Sequence, residues 1–167
     1  SYTGLTVTLP QSKYYPRDTA AAAIYSEIPN RDVLLSIGRE RIHRYQVIKL
    51  TGNSGSVDLP LQPSDMPNIG INVDSFSDVY MDQANTNLEL ITDSRKINVS
   101  VTPDRKSYGP SDTVTLRLQT TDATGQPVTA DTAVWAVDKA LYELMDSNLG
   151  DIFTRFWGTT YAYSPNT

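Results

Sequence analysis

Few residues in this chain are placed to do chemistry. The single histidine, His43, stands between Ile42 and Arg44. A general base needs a partner acid and a reacting group within reach. No serine and aspartate cluster beside it in sequence, so it reads as a histidine on a strand surface. Asp74, Asp78 and Asp82 recur at every fourth position. Calcium needs several convergent oxygens, usually from a loop of alternating acids around a glycine. That loop is missing, and the three acids read as a solvated face. Gly52 and Gly55 do not make a phosphate-binding loop. Asn98-Val99-Ser100 fits an N-glycosylation acceptor, which matters only in a eukaryotic secretory host. Asp138 ends an apolar pattern and reads as a helix cap rather than a catalytic acid. The chain has no cysteine, which removes disulfides, thiolate zinc sites and a cysteine nucleophile. We assign no catalytic residue, no metal ligand and no cofactor.

Composition narrows the class. The chain has 167 residues, 39% hydrophobic and 20% charged, with a net charge of −5. A nucleic-acid partner would need a basic stripe, which this balance argues against. No apolar run approaches the ~18 residues of a membrane span. Contact with a membrane would come only through an anchor elsewhere in a parent polypeptide.

The elements read as strands. Leu5 to Leu9 alternates apolar and polar residues, the mark of a strand with one buried face. Pro10 to Arg17 is a turn-rich connection. Asp18 to Glu27 is alanine-rich and helical by propensity, yet Pro16 and Pro29 bracket it and Ile24-Tyr25 favour a strand. Asp32 to Arg39 is a third strand. Arg41 to Leu50 is a fourth, apolar on neither parity, which suits an edge position. Thr51 to Gly55 is a turn and Ser56 to Leu61 a fifth strand. Ile69 to Val73 is a sixth, and Val79 to Gln83 and Asn87 to Ile91 supply one or two more. Roughly seven short strands with a turn signal about every ten residues predict an antiparallel β-sandwich over 1–93.

After a polar junction, Thr92 to Arg95, the pattern restarts at Ile97 to Val101. Pro10, Lys13 and Tyr15 recur as Pro103, Lys106 and Tyr108 at one common offset. Asp18-Thr19 recurs as Asp112-Thr113 one residue further on, which implies an insertion in the second copy. A period of about 90 residues suits tandem sandwich modules rather than a solenoid. Proline ends a strand, tyrosine offers a ring and a hydroxyl, and Asp-Thr starts the next strand with oxygens that bond turn amides.

Asp112 to Met145 organises the second module. Val114, Leu116 and Leu118 alternate as a strand, and Gly125-Gln126-Pro127 turns the chain. Val128 to Val137 reads as an antiparallel partner strand, and Asp138 caps a short helix over 139–145. The module, 94–167, then has three strands and a helix, too few to close a sandwich. Either Asn148 to Tyr163 adds strand, or the rest lies further along a parent protein.

Gly125-Gln126-Pro127 followed by Val134-Trp135-Ala136-Val137-Asp138-Lys139-Ala140-Leu141 resembles the alpha-2-macroglobulin superfamily in its bacterial form. Its macroglobulin domains carry a G-x-P-V turn and a strand ending in V-D before x-A-L. The repeated phrase also resembles that family's Y-x-P-G-D-T. This chain departs from it, having Arg17 where the glycine belongs in one copy and Gly109 ahead of the proline in the other. A shared left-handed residue is therefore not expected.

The resemblance implies an all-β chain of two tandem antiparallel, immunoglobulin-like macroglobulin β-sandwich domains, the second incomplete, with a tail, 146–167, that adjoins a bait segment. It further implies a non-catalytic fragment of a broad-spectrum protease inhibitor that traps proteases after bait cleavage, outside the cytoplasm, whether periplasmic, secreted or at the cell surface. The partners would be target proteases through the bait and neighbouring macroglobulin domains of the parent. The family's thioester needs a cysteine, so this chain cannot supply it. On residues alone the tail is an aromatic anchor with a frayed end. On resemblance it is where Phe153, Arg155, Phe156, Trp157, Tyr161 and Tyr163 become accessible to trypsin-like and chymotrypsin-like proteases. The sandwich pattern alone fits an immunoglobulin-like adhesin or scaffold equally well. An enzyme accessory domain is a third class. Limited proteolysis separates the first two: a bait-adjacent tail should be nicked after Ile152, while an adhesin module should resist.

Overall fold

The structure is a computed structural model and describes residues 4–76, 81–137 and 150–160. The described residues fall into two units. One comprises the chain up to Ile91 together with the residues from Trp157, and the other runs from Thr92 to Phe156.

The first unit is a sandwich of two sheets. Its strands are β1 (Leu5–Thr8), β2 (Lys13–Tyr14), β3 (Thr19–Ser26), β4 (Asp32–Gly38), β5 (Ile42–Lys49), β6 (Ser54–Pro60), β7 (Asn68–Phe76) and β8 (Met81–Leu90). One sheet has the order β1-β3-β6, the other β2-β8-β7-β4-β5. All pairings are antiparallel except β2 with β8. The inward positions build one core: Leu5 and Val7, Ala20, Ala22 and Ile24, Val33, Leu35 and Ile37, and Ile69, Ile71 and Val73. β3 alternates exposed and buried residues along its whole length. Its inward alanines overrule their helical propensity because sheet packing needs a small side chain there.

β5 pairs with β4 alone and so closes its sheet at a free edge, where Tyr45 and Val47 are exposed. Gly38 sits at the β-bulge where β4 turns toward β5. A Cβ there would stand 2.1 Å from the Arg41 carbonyl oxygen, closer than any packing allows. Of the one or two strands the sequence allows here, the structure has one continuous strand, β8. Ala84 to Asn87 lacks apolar alternation, but unbroken pairing with β7 carries the backbone across it. β2 lies inside the stretch that reads as a connection.

In the second unit, β9 (Asn98–Pro103) pairs antiparallel with β10 (Leu116–Thr121). The expected partner strand over Val128 to Val137 does not form. The chain closes a turn through a bridge from Thr121 to Pro127 and a hydrogen bond from Val128 N to Thr120 O, 3.1 Å. No ladder follows among the described residues, and Val134, Trp135 and Val137 are exposed. Alternation states which face a strand would bury; without a paired backbone it does not make a strand. The turn itself hangs on Asp122, whose Oδ1 accepts from Thr124 N, Thr124 Oγ1 and Gln126 N. Gly125 supplies the φ of +86° that this turn requires. The expected helix over 139–145 and its cap Asp138 lie outside the described residues. In the tail, a six-residue helix, α1 (Ile152–Trp157), is present.

The repeated phrase makes one turn twice. Asp18 N donates to Tyr15 O and Asp112 N to Gly109 O. In each, the aspartate carboxylate accepts from the amide that opens the turn, Tyr15 N at 2.8 Å and Gly109 N at 2.9 Å. Pro16 and Pro110 take the second position. Arg17 (φ 81°) and Ser111 (φ 68°) take the third. Proline followed by a positive φ is the type II arrangement. The expectation that no left-handed residue is shared is thus wrong. Proline and the aspartate cap fix the turn, and the residue between them is forced into the left-handed region. The turn also aligns Tyr108 with Tyr14, not Tyr15, so the inserted residue falls before the tyrosine. Replacing Arg17 or Ser111 by glycine should raise stability by roughly 0.5–1 kcal/mol, since left-handed φ costs an L-residue about 1–2 kcal/mol and glycine little. Arg17→Val should lower it by a comparable amount. Urea midpoints at constant m report both.

Candidate functional site

The residues singled out from sequence do not converge. His43 lies on the free-edge strand β5, its Nδ1 3.9 Å from Asp65 Oδ1. Asp65 is not available to orient it. That buried carboxylate already accepts a two-pronged contact from Arg44, at 3.0 and 2.9 Å, and a third bond from Gln62 N at 2.8 Å. These bonds fix the 3₁₀ turn Pro63–Asp65. Sequence reasoning missed Asp65, because nothing in its surroundings marks it as a buried acid. A shallow groove of about 230 Å³ opens beside it between β5 and β6, with Leu35, Leu59 and Pro60 in its wall. It brings no acid–base pair together.

Asp74 and Asp82 do not form a solvated face. Both are buried, and they point to opposite sides of their sheet. Asp82 faces inward and holds Arg31 at 2.7 Å. Asp74 sits beside Gln83 on the outward side, and its Oδ1 has no hydrogen-bond partner among the described residues. Asp78 lies outside the described residues. Asn98 is on β9, and its Nδ2 donates to Asp122 O at 3.1 Å. Gly52 lies in the turn that carries the chain from β5 in one sheet to β6 in the other, and Gly55 lies within β6. Among the described residues no group of three or more His, Asp or Glu side chains gathers to hold a metal. No helix there is long and apolar enough to cross a membrane.

What the structure does bring together is the end of the described chain, from Trp157, and the sandwich of its own unit. Asp151 caps α1, its carboxylate accepting from Phe153 N at 3.1 Å, Thr154 N at 3.3 Å and Thr154 Oγ1 at 2.7 Å. These hydroxyl and amide donors hold its carboxyl below the usual carboxylate range. The sequence signal was available: an aspartate three residues ahead of a threonine at the head of an apolar run. Ile152, Arg155 and Phe156 are exposed, Phe156 to 71%, while Phe153 and Trp157 are half-buried. Trp157 packs against the core of the first unit.

Three residues on, the chain is gripped. Asn68, 2% exposed, donates from Nδ2 to Thr160 O at 2.8 Å and accepts from Thr160 N at 2.9 Å. Thr160 Oγ1 adds a third contact to Asn68 Oδ1 at 3.3 Å. The carboxamide thus pairs with the backbone N–H and C=O of one residue, as a neighbouring antiparallel strand would. Asn68 opens β7, and the segment before it is braced from both sides. Arg44 holds Asp65, and Arg39 donates to Met66 O. Tyr161 and Tyr163 lie outside the described residues.

Sheet order, the G-x-P turn and an aromatic tail brought back to the first sandwich frame the comparison with known proteins. The model of the alpha-2-macroglobulin bait region domain matches residues 5–144. The chain belongs to the alpha-2-macroglobulin bait region family. The match covers both units and ends where α1 has not yet begun. A curated relative, the alpha-2-macroglobulin of Ralstonia nicotianae (strain ATCC BAA-1114 / GMI1000), is 25% identical over 148 residues, 83% of this chain. The chain spans only 9% of that relative's length. Within this bait-region chain, burial pushes the Asp74 carboxyl up, and the Gln83 hydrogen bond offsets that only in part. A raised folded-state value means the ionised form is the one the fold disfavours. Its cost is present at neutral pH and is relieved as pH falls through the folded value. Asp74→Asn should therefore raise the thermal midpoint at pH 7. That gain should shrink toward zero below about pH 4, where the acid is protonated folded or unfolded.

Proposed function

We propose that this chain is a non-catalytic part of an alpha-2-macroglobulin-like, broad-spectrum protease inhibitor, and that it holds the bait. Its task is mechanical: to present a cleavable segment and to pass on the consequence of its cutting. Membership of the bait region family over residues 5–144 carries the reading. The tail supplies the chemistry. A protease needs an extended backbone with a side chain for its specificity pocket. Arg155 suits trypsin-like enzymes. Phe153, Phe156, Trp157, Tyr161 and Tyr163 suit chymotrypsin-like ones.

We place the parent protein outside the cytoplasm, where foreign proteases are met, with two macroglobulin-like domains here over 1–93 and 94–167 and further ones as neighbours. Bait cleavage releases a restrained loop, and the rearrangement that follows encloses the protease. The test uses the parent polypeptide with trypsin and chymotrypsin. Cutting in the tail should coincide with loss of activity on large protein substrates, while small peptide substrates are still turned over. A protease that cuts the tail and keeps its full activity on casein overturns the proposal.

A further inference from the structure

A helix of six residues does not hold itself together in water; isolated helices shorter than about 12–15 residues are marginal. α1 therefore persists because its ends are fixed. Asp151 fixes the first end. Trp157 on the core and Thr160 in the grip of Asn68 fix the other. Asn68 is a poor packing residue at a buried position, and its amide would be left unsatisfied without the Thr160 backbone N–H and C=O. The braced turn beneath it serves the same end, because a loose Asn68 could not hold two bonds at once.

We infer that Asn68 is a latch on the tail. While it holds Thr160, the peptide bonds at Phe153, Arg155 and Phe156 stay helical and closed to a protease, although Arg155 and Phe156 face solvent. Cleavage there proceeds through release of the latch. Accessibility of these bonds is then set by an opening equilibrium on the first sandwich, not by exposure of the side chains. The biological meaning of the latch rests on the bait-holding proposal; its geometry does not.

Arg155 is the last trypsin site in the chain, so cleavage there is read without ambiguity as release of the peptide from Phe156 onward. In the full 167-residue chain, Asn68→Ala should speed trypsin cleavage after Arg155 and chymotrypsin cleavage after Phe156 about ten-fold, the loss of two net hydrogen bonds. Thr160→Pro removes the donor at an exposed position and leaves the core alone. It should have the same effect, with circular dichroism unchanged, and it decides the matter should Asn68→Ala not fold. Hydrogen exchange should show the Thr160 amide protected in the parent chain and unprotected in Asn68→Ala. Equal cleavage rates in the parent chain and Thr160→Pro, or an unprotected Thr160 amide in the parent chain, overturn the latch. Neither result bears on whether a cut tail leads to capture, which the casein assay reads separately.

Discussion

β7 is buried on both of its faces, and much of the first unit follows from that. Its inward residues, Ile69, Ile71 and Val73, are ordinary core. Its outward residues, Asn68, Asn72 and Asp74, are equally removed from water but polar. Antiparallel sheets commonly leave one face wet, which lets polar residues stand there unpartnered. Here water is excluded and the polar groups must be met by protein. Asn68 is met by the main chain at Thr160. Asp74 is met incompletely, and its raised carboxyl is the sign of that.

The buried ion pairs belong to the same constraint. Asp65 and Asp82 are taken out of water at the two ends of the sandwich, and each finds an arginine. Such pairs add little net stability, because desolvation of two charges offsets most of their attraction. Their value lies in geometry: an unpaired partner would be costly, so each pair admits one arrangement of its loop. Arg44 through Asp65, and Arg39 through the Met66 carbonyl, fix the approach to β7, and with it the position of the amide that grips the tail.

In the bait-holding role proposed above, the tail faces two opposed demands. The segment must yield to a protease, yet it must be restrained enough that its cutting releases something. A short helix stable only through its end contacts meets both. On the latch inferred above, it is ordered at rest and opens more often when one contact goes. The two copies of the Pro-x-Asp turn show the contrasting device. There a proline and a carboxylate cap hold the backbone so firmly that arginine and serine are carried into left-handed φ.

The residues by themselves settled the face of most strands. Alternation in β1, the bracketing prolines of β3 and the mixed parity of β5 identified an inward strand, a strand against propensity and an edge, because side-chain period reports which side meets water. The G-x-P turn and the V-D-K-A-L phrase identified the family, because a turn's chemistry is local. Pairing was another matter. That β8 runs unbroken through Ala84 to Asn87, and that Val128 to Val137 finds no ladder among the described residues, depends on a backbone elsewhere in the chain. Asn68 and Thr160 stand 92 residues apart in the sequence, and nothing in the neighbourhood of either names the other. Hydrogen-bond partners across a sheet are chosen by the folded arrangement, so only the tertiary structure could show the tail returned to the strand that holds it.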